Sequence, residues 1–183
     1  MPASLANAPD RLLDLNEVLA ELVRQGHIEQ DTAEQCLSAR RGDVTTVQMH
    51  PLEYIARQKL ADQQNPARTL DLENLTLWLA KWAQQPYLRI DPLKIDATAI
   101  TAVMSYAFAQ RHKILAVEVT SNYVTISSAQ PFSRSWEDNL AHVLRRPIKR
   151  VVANPVDIQR FTTEFYRLAR SVSGASATDQ FSS

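Results

Sequence analysis

The sequence predicts an α+β protein: a helical N-terminal subdomain, followed by a small mixed sheet in the order β-β-α-β-α with helices packed on it. Three observations predict this. Apolar residues recur at helical spacing through the first half of the chain. The period drops to two between residues 115 and 126. Capping residues or an N1 proline stand before most of the apolar stripes.

Leu15, Val18, Leu19 and Leu22 stand at i, i+3, i+4 and i+7 and share one helix face, and Gly26 supplies a stop. Asp31 with Glu34 three residues on has the form of a capping box, opening a short helix that carries Ala33, Cys36 and Leu37 and ends at Gly42. Pro51 suits the first turn of a third helix, with Leu52, Ile55 and Leu60 on its apolar side. The stretch Asp62 to Thr69 is polar, contains Pro66 and lacks periodicity, so the domain boundary is placed there.

Beyond it Leu72, Leu75, Trp78, Leu79 and Trp82 form a wide apolar stripe closed by Pro86, and core packing explains the two tryptophans. Tyr87 to Ile90 reads as a short extended piece and Asp91-Pro92 as a turn. Asp96 caps a helix with Ile100, Val103, Met104, Ala107 and Phe108 on one face. Leu115, Val117 and Val119 then alternate with Ala116 and Glu118, and Val124 and Ile126 with Tyr123, Thr125 and Ser127. Ser121-Asn122 makes the hairpin turn between them. Ser133 or Ser135 caps a helix bearing Trp136, Leu140, Val143 and Leu144, which Pro147 breaks, and Ile148 to Ala153 is a third strand. Asn154-Pro155 opens a last helix with Ile158, Phe161, Phe165 and Leu168 inward. The expected organisation is a disordered N-terminus over 1–10, a helical subdomain over 11–62, a linker over 63–70, the α+β domain over 71–170 and a flexible tail or linker over 171–183.

Lys+Arg 20 balance Asp+Glu 20 in the 183 residues, which removes the global field of a nucleic-acid or anionic-membrane binder. No run approaches the ~20 apolar residues that span a bilayer. The opening MPASLANAPDRLLDL lacks a charged leader before an apolar core, so no secretory signal is expected. One cysteine, Cys36, cannot form an internal disulfide and fits a reducing, cytoplasmic compartment. Only Gly26, Gly42 and Gly174 are present, none close to another. A phosphate-cradling loop needs clustered glycines so that backbone N–H groups can approach the phosphates. Neither G-x-x-x-x-G-K-[ST] nor G-x-G-x-x-G can be written, which argues against a P-loop ATPase or a dinucleotide dehydrogenase in these residues.

His27, His50, His112 and His142 show no metal-ligand spacing and Cys36 has no C-x-x-C partner, so neither metal nor cofactor is expected. No serine stands in G-x-S-x-G or S-x-x-K. Asp91 and Asp96 could be drawn as an acid–base pair, but a turn and a cap explain them more simply. Two surfaces are candidate partner-binding sites. Arg145, Arg146, Lys149 and Arg150 form the densest charge, a patch for an acidic partner, a phosphate or a neighbouring subunit. Read plainly, they are a solvated helix end and a protected strand edge. Glu17, Glu21 and Arg24 lie on the outer side of the first helix. A three-helix segment of roughly fifty residues has a thin core and should lean on a neighbour, with these as the polar rim.

The segments PYLRIDPLKID (86–96), MSYAFAQRHKILAVEV (104–119), SSAQPF (127–132), RRPIKRVVANPVDI (145–158) and FYRLA (165–169) resemble, in order, the N-terminal domain of type II secretion and type IV pilus assembly ATPases. Residues 11–62 resemble the leading subdomain of the same proteins. The resemblance implies a non-catalytic domain that precedes an ATPase core through a flexible linker and docks onto the cytoplasmic part of an inner-membrane platform protein. The chain is then either a piece of a longer ATPase or a stand-alone relative without the motor. The ATPase core, of the same or a partner chain, is the second implied partner, and nucleic acid and direct membrane insertion are not implied.

A branch of this family binds cyclic di-GMP through a leading motif, RLGxxLVxxGxIxxxxLxxALxxQ. Aligned on Gly26, its hydrophobic frame falls on Leu22-Val23, Ile28 and Cys36-Leu37, its R-L-G on Glu17-Val18-Leu19 and its final Gln on Arg40. A carboxylate in place of the arginine repels a phosphodiester, and Leu19 is expected to block the close approach that glycine permits. The expected function is therefore docking. A sensor of cyclic di-GMP or a related phosphorylated ligand is the alternative, and a small enzyme is a more distant rival.

Overall fold

The computed structural model describes residues 9–179, with side chains as far as 174. Residues 1–8 of the expected N-terminal segment and 180–183 of the expected tail lie outside the described residues. Helix α1 (Leu15–Arg24) opens where the Asp14 carboxylate accepts the Asn16 N–H, and Leu15, Val18, Leu19 and Leu22 are all buried, as their spacing predicts. Gly26 follows with φ at +80°, a left-handed conformation that a side chain would strain. Helix α2 (Gln30–Arg41) ends on Gly42, but its N-cap is Glu29, which makes no side-chain cap bond. Asp31 lies inside the first turn, so the expected capping box does not form; its charge still complements the positive helix end. Helix α3 (Pro51–Arg57) has Pro51 at its start and His50 as its cap.

The polar stretch read as a linker over 63–70 is instead an antiparallel hairpin, β1 (Ala61–Asp62) and β2 (Asn65–Thr69). Every residue of β2 is exposed, which is why its pattern reads as a loop. The hairpin is fastened by Asp62, a buried carboxylate that accepts the Gln64 N–H and stands 3.0 Å from the His27 ring nitrogen. Nor does the core divide there. Leu70 and the buried face of α4 (Leu72–Ala83) share one cluster with α1, α2 and α3, joined by Phe132 and Val152 from the later part of the chain. Trp82 meets Phe132 edge-on at 5.1 Å across that seam.

The second cluster surrounds a three-stranded sheet in the order β3-β4-β5. Strands β3 (Ile114–Val119) and β4 (Val124–Ser128) pair antiparallel, and β5 (Ile148–Val152) runs parallel to β4 after the crossover helix α7 (Glu137–Leu144). This is the predicted β-β-α-β-α order. The extended piece at 86–88 adds to β5: Leu88 donates to the Val152 carbonyl and Val152 to that of Pro86, both at 2.8 Å. Ile114 to Val117 and the whole of β4 are buried, so both faces of this sheet are covered and its alternation does not mark a solvent face.

Further expectations differ. The helix expected from Asp96 is two helices, α5 (Ala97–Thr101) and α6 (Tyr106–His112), because Ser105 turns its hydroxyl onto the Phe108 N–H and starts a new helix. Val103 and Met104 remain buried, whereas Ala109 takes the inward place expected of Ala107. Neither Ser133 nor Ser135 caps α7; its N-cap is Trp136, and Val143 faces solvent. Helix α8 (Pro155–Asp179), capped by the Asn154 carboxamide, buries Ile158, Phe161 and Phe165 but leaves Leu168 exposed. It runs through 171–179 of the expected tail, since extending a helix costs far less than nucleating one and no proline interrupts it.

Candidate functional site

Two sets of contacts hold the leading helices against the loop that follows β4. In the first, Asp10 accepts the Arg134 N–H at 2.7 Å, Arg11 donates its N–H to the Phe132 carbonyl at 3.2 Å, and Leu13 donates to the Gln130 carboxamide at 2.8 Å. The Arg11 guanidinium lies 4.2 Å over the Phe132 ring and pairs with Glu17. In the second, His50 Nδ1 accepts the Leu52 N–H at 3.1 Å, which leaves the proton on Nε2, 2.7 Å from the Ala129 carbonyl oxygen. Burial and the nearby Lys113 charge oppose protonation more than the carbonyl favours it, and the imidazole pKa falls to about 4.

Between these seams lies a cleft of about 1030 Å³. One wall is made by residues 12–16, the end of α2 and the loop leading into α3. The other is made by the end of α6, Ala129, Gln130 and the first turns of α8. The loop into α3 is held in shape by its own polar groups. Asp43 accepts the Thr45 N–H, Thr46 donates its hydroxyl to the Asp43 carbonyl, and Arg40 donates to the Val47 carbonyl at 3.0 Å. The result holds Val44 and Val47 outward, 85% and 57% exposed, and Leu12 adds a third apolar side chain, 67% exposed.

The cleft's charges divide by partner. Asp14 caps α1, Asp43 caps the 3₁₀ turn Val44–Thr46, and Glu53 pairs with Arg57 at 3.3 Å. Arg40 is engaged by the loop and by the Tyr54 ring. The side chains of Arg41 and Lys113 make no hydrogen bond or ion pair among the described residues.

None of the seven candidate partner-binding residues singled out from the sequence lines this cleft. Glu17 is tied to Arg11, and Glu21 to Arg24 and Gln25; the Arg24 contact holds the Glu21 carboxyl below its usual range. Arg145, in a left-handed conformation, closes α7, and Arg146 follows it. Lys149 lies over the Tyr123 ring at 3.6 Å. Arg150 does not belong to an exposed patch. Its side chain is 8% exposed, pairs with Glu137 at 3.1 Å, donates to the Ser133 and Gln130 carbonyls, and stacks on Trp136. On β5 it points to the same side as buried Val152, toward α7, which is why a run of charges misread its direction. Leu19 differs from expectation too: its side chain is in the core and blocks no surface. Cys36 is buried, as its place on the apolar face implies, and burial raises its thiol pKa. Among the described residues no group of His, Cys, Asp and Glu is arranged to hold a metal, and no helix is long and apolar enough to cross a membrane.

The sequence reading left out Arg41, Val44, Val47 and Lys113, and it weighed His50 only as a metal ligand. Two valines inside the polar loop RGDVTTVQMH were the available signal; no spacing rule could bring Lys113 beside them.

Among known proteins, residues 83–172 match the family model of the MshEN domain. The chain is 36% identical over 161 residues to the type IV pilus assembly ATPase TfpB of Acinetobacter baylyi (strain ATCC 33305 / BD413 / ADP1). That match covers 87% of this chain and 27% of TfpB, so the chain spans about a quarter of that relative's length. A solved structure of MshE with cdg shares the fold, with a TM-score of 0.52 at 13% identity over 84% of this chain and 99% of that one. The N-terminal domain of XpsE aligns with a TM-score of 0.43 at 11% identity, over 85% and 98% of the two chains.

Proposed function

We propose, from the premise that residues 83–172 belong to the MshEN family, the non-catalytic N-terminal domains of type II secretion and type IV pilus ATPases, that this chain docks such an ATPase onto the cytoplasmic part of an inner-membrane platform protein. The observation that carries the proposal is the rim of the cleft: Val44 and Val47 are held out into solvent by a hydrogen-bonded loop instead of being folded inward. Apolar side chains fixed in that way suit a protein interface. A transient interface of this kind buries on the order of 1,000–2,000 Å². The cationic end of α7 with Arg145, Arg146 and Lys149, and the outer face of α1 with Glu17, Glu21 and Arg24, are secondary contact surfaces in this proposal. The ATPase core is the second partner, and the domain works on the cytoplasmic side of the inner membrane. Isothermal titration of the 183-residue chain with the platform protein's cytoplasmic domain tests it. Saturable binding with a negative heat-capacity change is expected, and a flat titration contradicts it.

The second reading is a sensor of cyclic di-GMP, the cdg of the MshE structure, and the shared fold is what recommends it. Glu17 weighs against it, standing where the binding motif has an arginine and already holding Arg11. A rise in melting temperature with cyclic di-GMP supports this second reading; no rise at high micromolar ligand removes it.

A further inference from the structure

We infer that the cleft takes an acidic amphipathic helix of the docking partner, its apolar side on Leu12, Val44 and Val47 and its carboxylates on Arg41 and Lys113. This rests on the docking proposal and names what the partner presents. Charge comes first. Glu53 is neutralised by Arg57, Asp14 and Asp43 are held by the N–H groups they cap and Arg40 by backbone carbonyls, which leaves Arg41 and Lys113 as the charged side chains of the cleft with no hydrogen-bond or ion-pair partner among the described residues. These two come from the ends of α2 and α6, one on each wall. A carboxylate-bearing segment lying between the walls neutralises both.

The shape decides the conformation. No residue lining the cleft belongs to a strand, so there is no free edge to which an extended peptide could add. A helix about 10 Å across that rises 1.5 Å per residue occupies about 120 Å³ per residue, so the cleft's volume matches that of about two helical turns. Chemistry separates a carboxylate from a phosphate. The helix starts that reach the cleft have their first N–H groups already taken, at Asn16 by Asp14, at Leu52 by His50, and at Val156 and Asp157 by Asn154. No backbone cradle is left to wrap a phosphate, whereas two long cationic side chains can follow carboxylates on a helix.

The test titrates the platform protein's cytoplasmic domain into the wild-type chain, the double variant Arg41→Glu with Lys113→Glu, and Val44→Asp, each checked for an unchanged melting temperature. The wild type should bind, weaken severalfold between low and high salt, and bind at least tenfold more tightly than either variant. The double variant should lose the salt dependence. Wild type and double variant binding equally, with equal salt dependence, overturns the inference and leaves docking standing. No binding by the wild type overturns docking itself, and the inference with it. Cyclic di-GMP binding that the double variant abolishes makes the cleft a nucleotide site and overturns the inference.

Discussion

His50 Nε2 and the Ala129 carbonyl oxygen, 79 residues apart in the chain, stand 2.7 Å from each other, and both line the cleft. The Leu52 N–H bond to Nδ1 requires a neutral imidazole, whereas the Nε2–H bond to Ala129 survives protonation.

Acid should therefore destabilise the fold by charging a buried ring and breaking the cap of α3. The folded-state pKa of His50, about 4, lies below the unfolded value of 6.5, so folding favours the neutral ring. Its contribution, roughly 3 kcal/mol from a shift of that size, is fully present above pH 6.5 and is lost as the pH falls through 4. Urea midpoints measured across that window should fall for the wild type. For His50→Gln they should fall less, after a loss of about 1–3 kcal/mol at neutral pH for the disturbed bonds. Parallel curves for the two proteins would contradict this assignment.

Arg150 should behave as a core residue. Arg150→Ala strands Glu137 and two carbonyls and should cost about 3 kcal/mol or more. Arg145→Ala and Arg146→Ala should stay within about 0.5 kcal/mol. Urea unfolding measures all three, and a small effect at Arg150 would return it to the surface patch.

The shared core predicts one cooperative transition. Phe132 and Val152 pack with α1, α3 and α4, so removing the leading helices uncovers Leu75 and Leu79, both now buried. Scanning calorimetry of the whole chain should show a single peak whose calorimetric and van't Hoff enthalpies agree. Two resolved peaks would mean that the leading helices fold independently.

Gly26→Ala should cost about 1 kcal/mol through its left-handed backbone alone, since the nearest atom to an added Cβ, Gln64 Nε2, is 3.6 Å away. A neutral or stabilising effect on the melting temperature would show that the turn can readjust.

The elements legible in the sequence were those in which one local rule acted alone. The Leu15–Leu22 stripe, the Asn154-Pro155 start and the hairpin around Ser121-Asn122 each appear as their residues predict. Where two rules competed, the pattern misled. Ser105 drew a helix start out of a continuous apolar stripe, and the β1–β2 hairpin buries too little to show a period. The cleft was not legible because its walls come from residues about sixty to a hundred and fifty positions apart. Its charge balance depends on which carboxylates are already partnered, which no spacing records.

In the proposed docking the platform protein grips the cleft first, and the other charged surfaces contribute less. Hydrogen exchange of the 183-residue chain, alone and saturated with that protein's cytoplasmic domain, tests it most directly. Slowed exchange is predicted most strongly over 12–16, 40–53 and 109–113, with smaller changes over 17–24 and 143–149. Protection confined to 17–24 or to 143–149, or none at saturation, would contradict it.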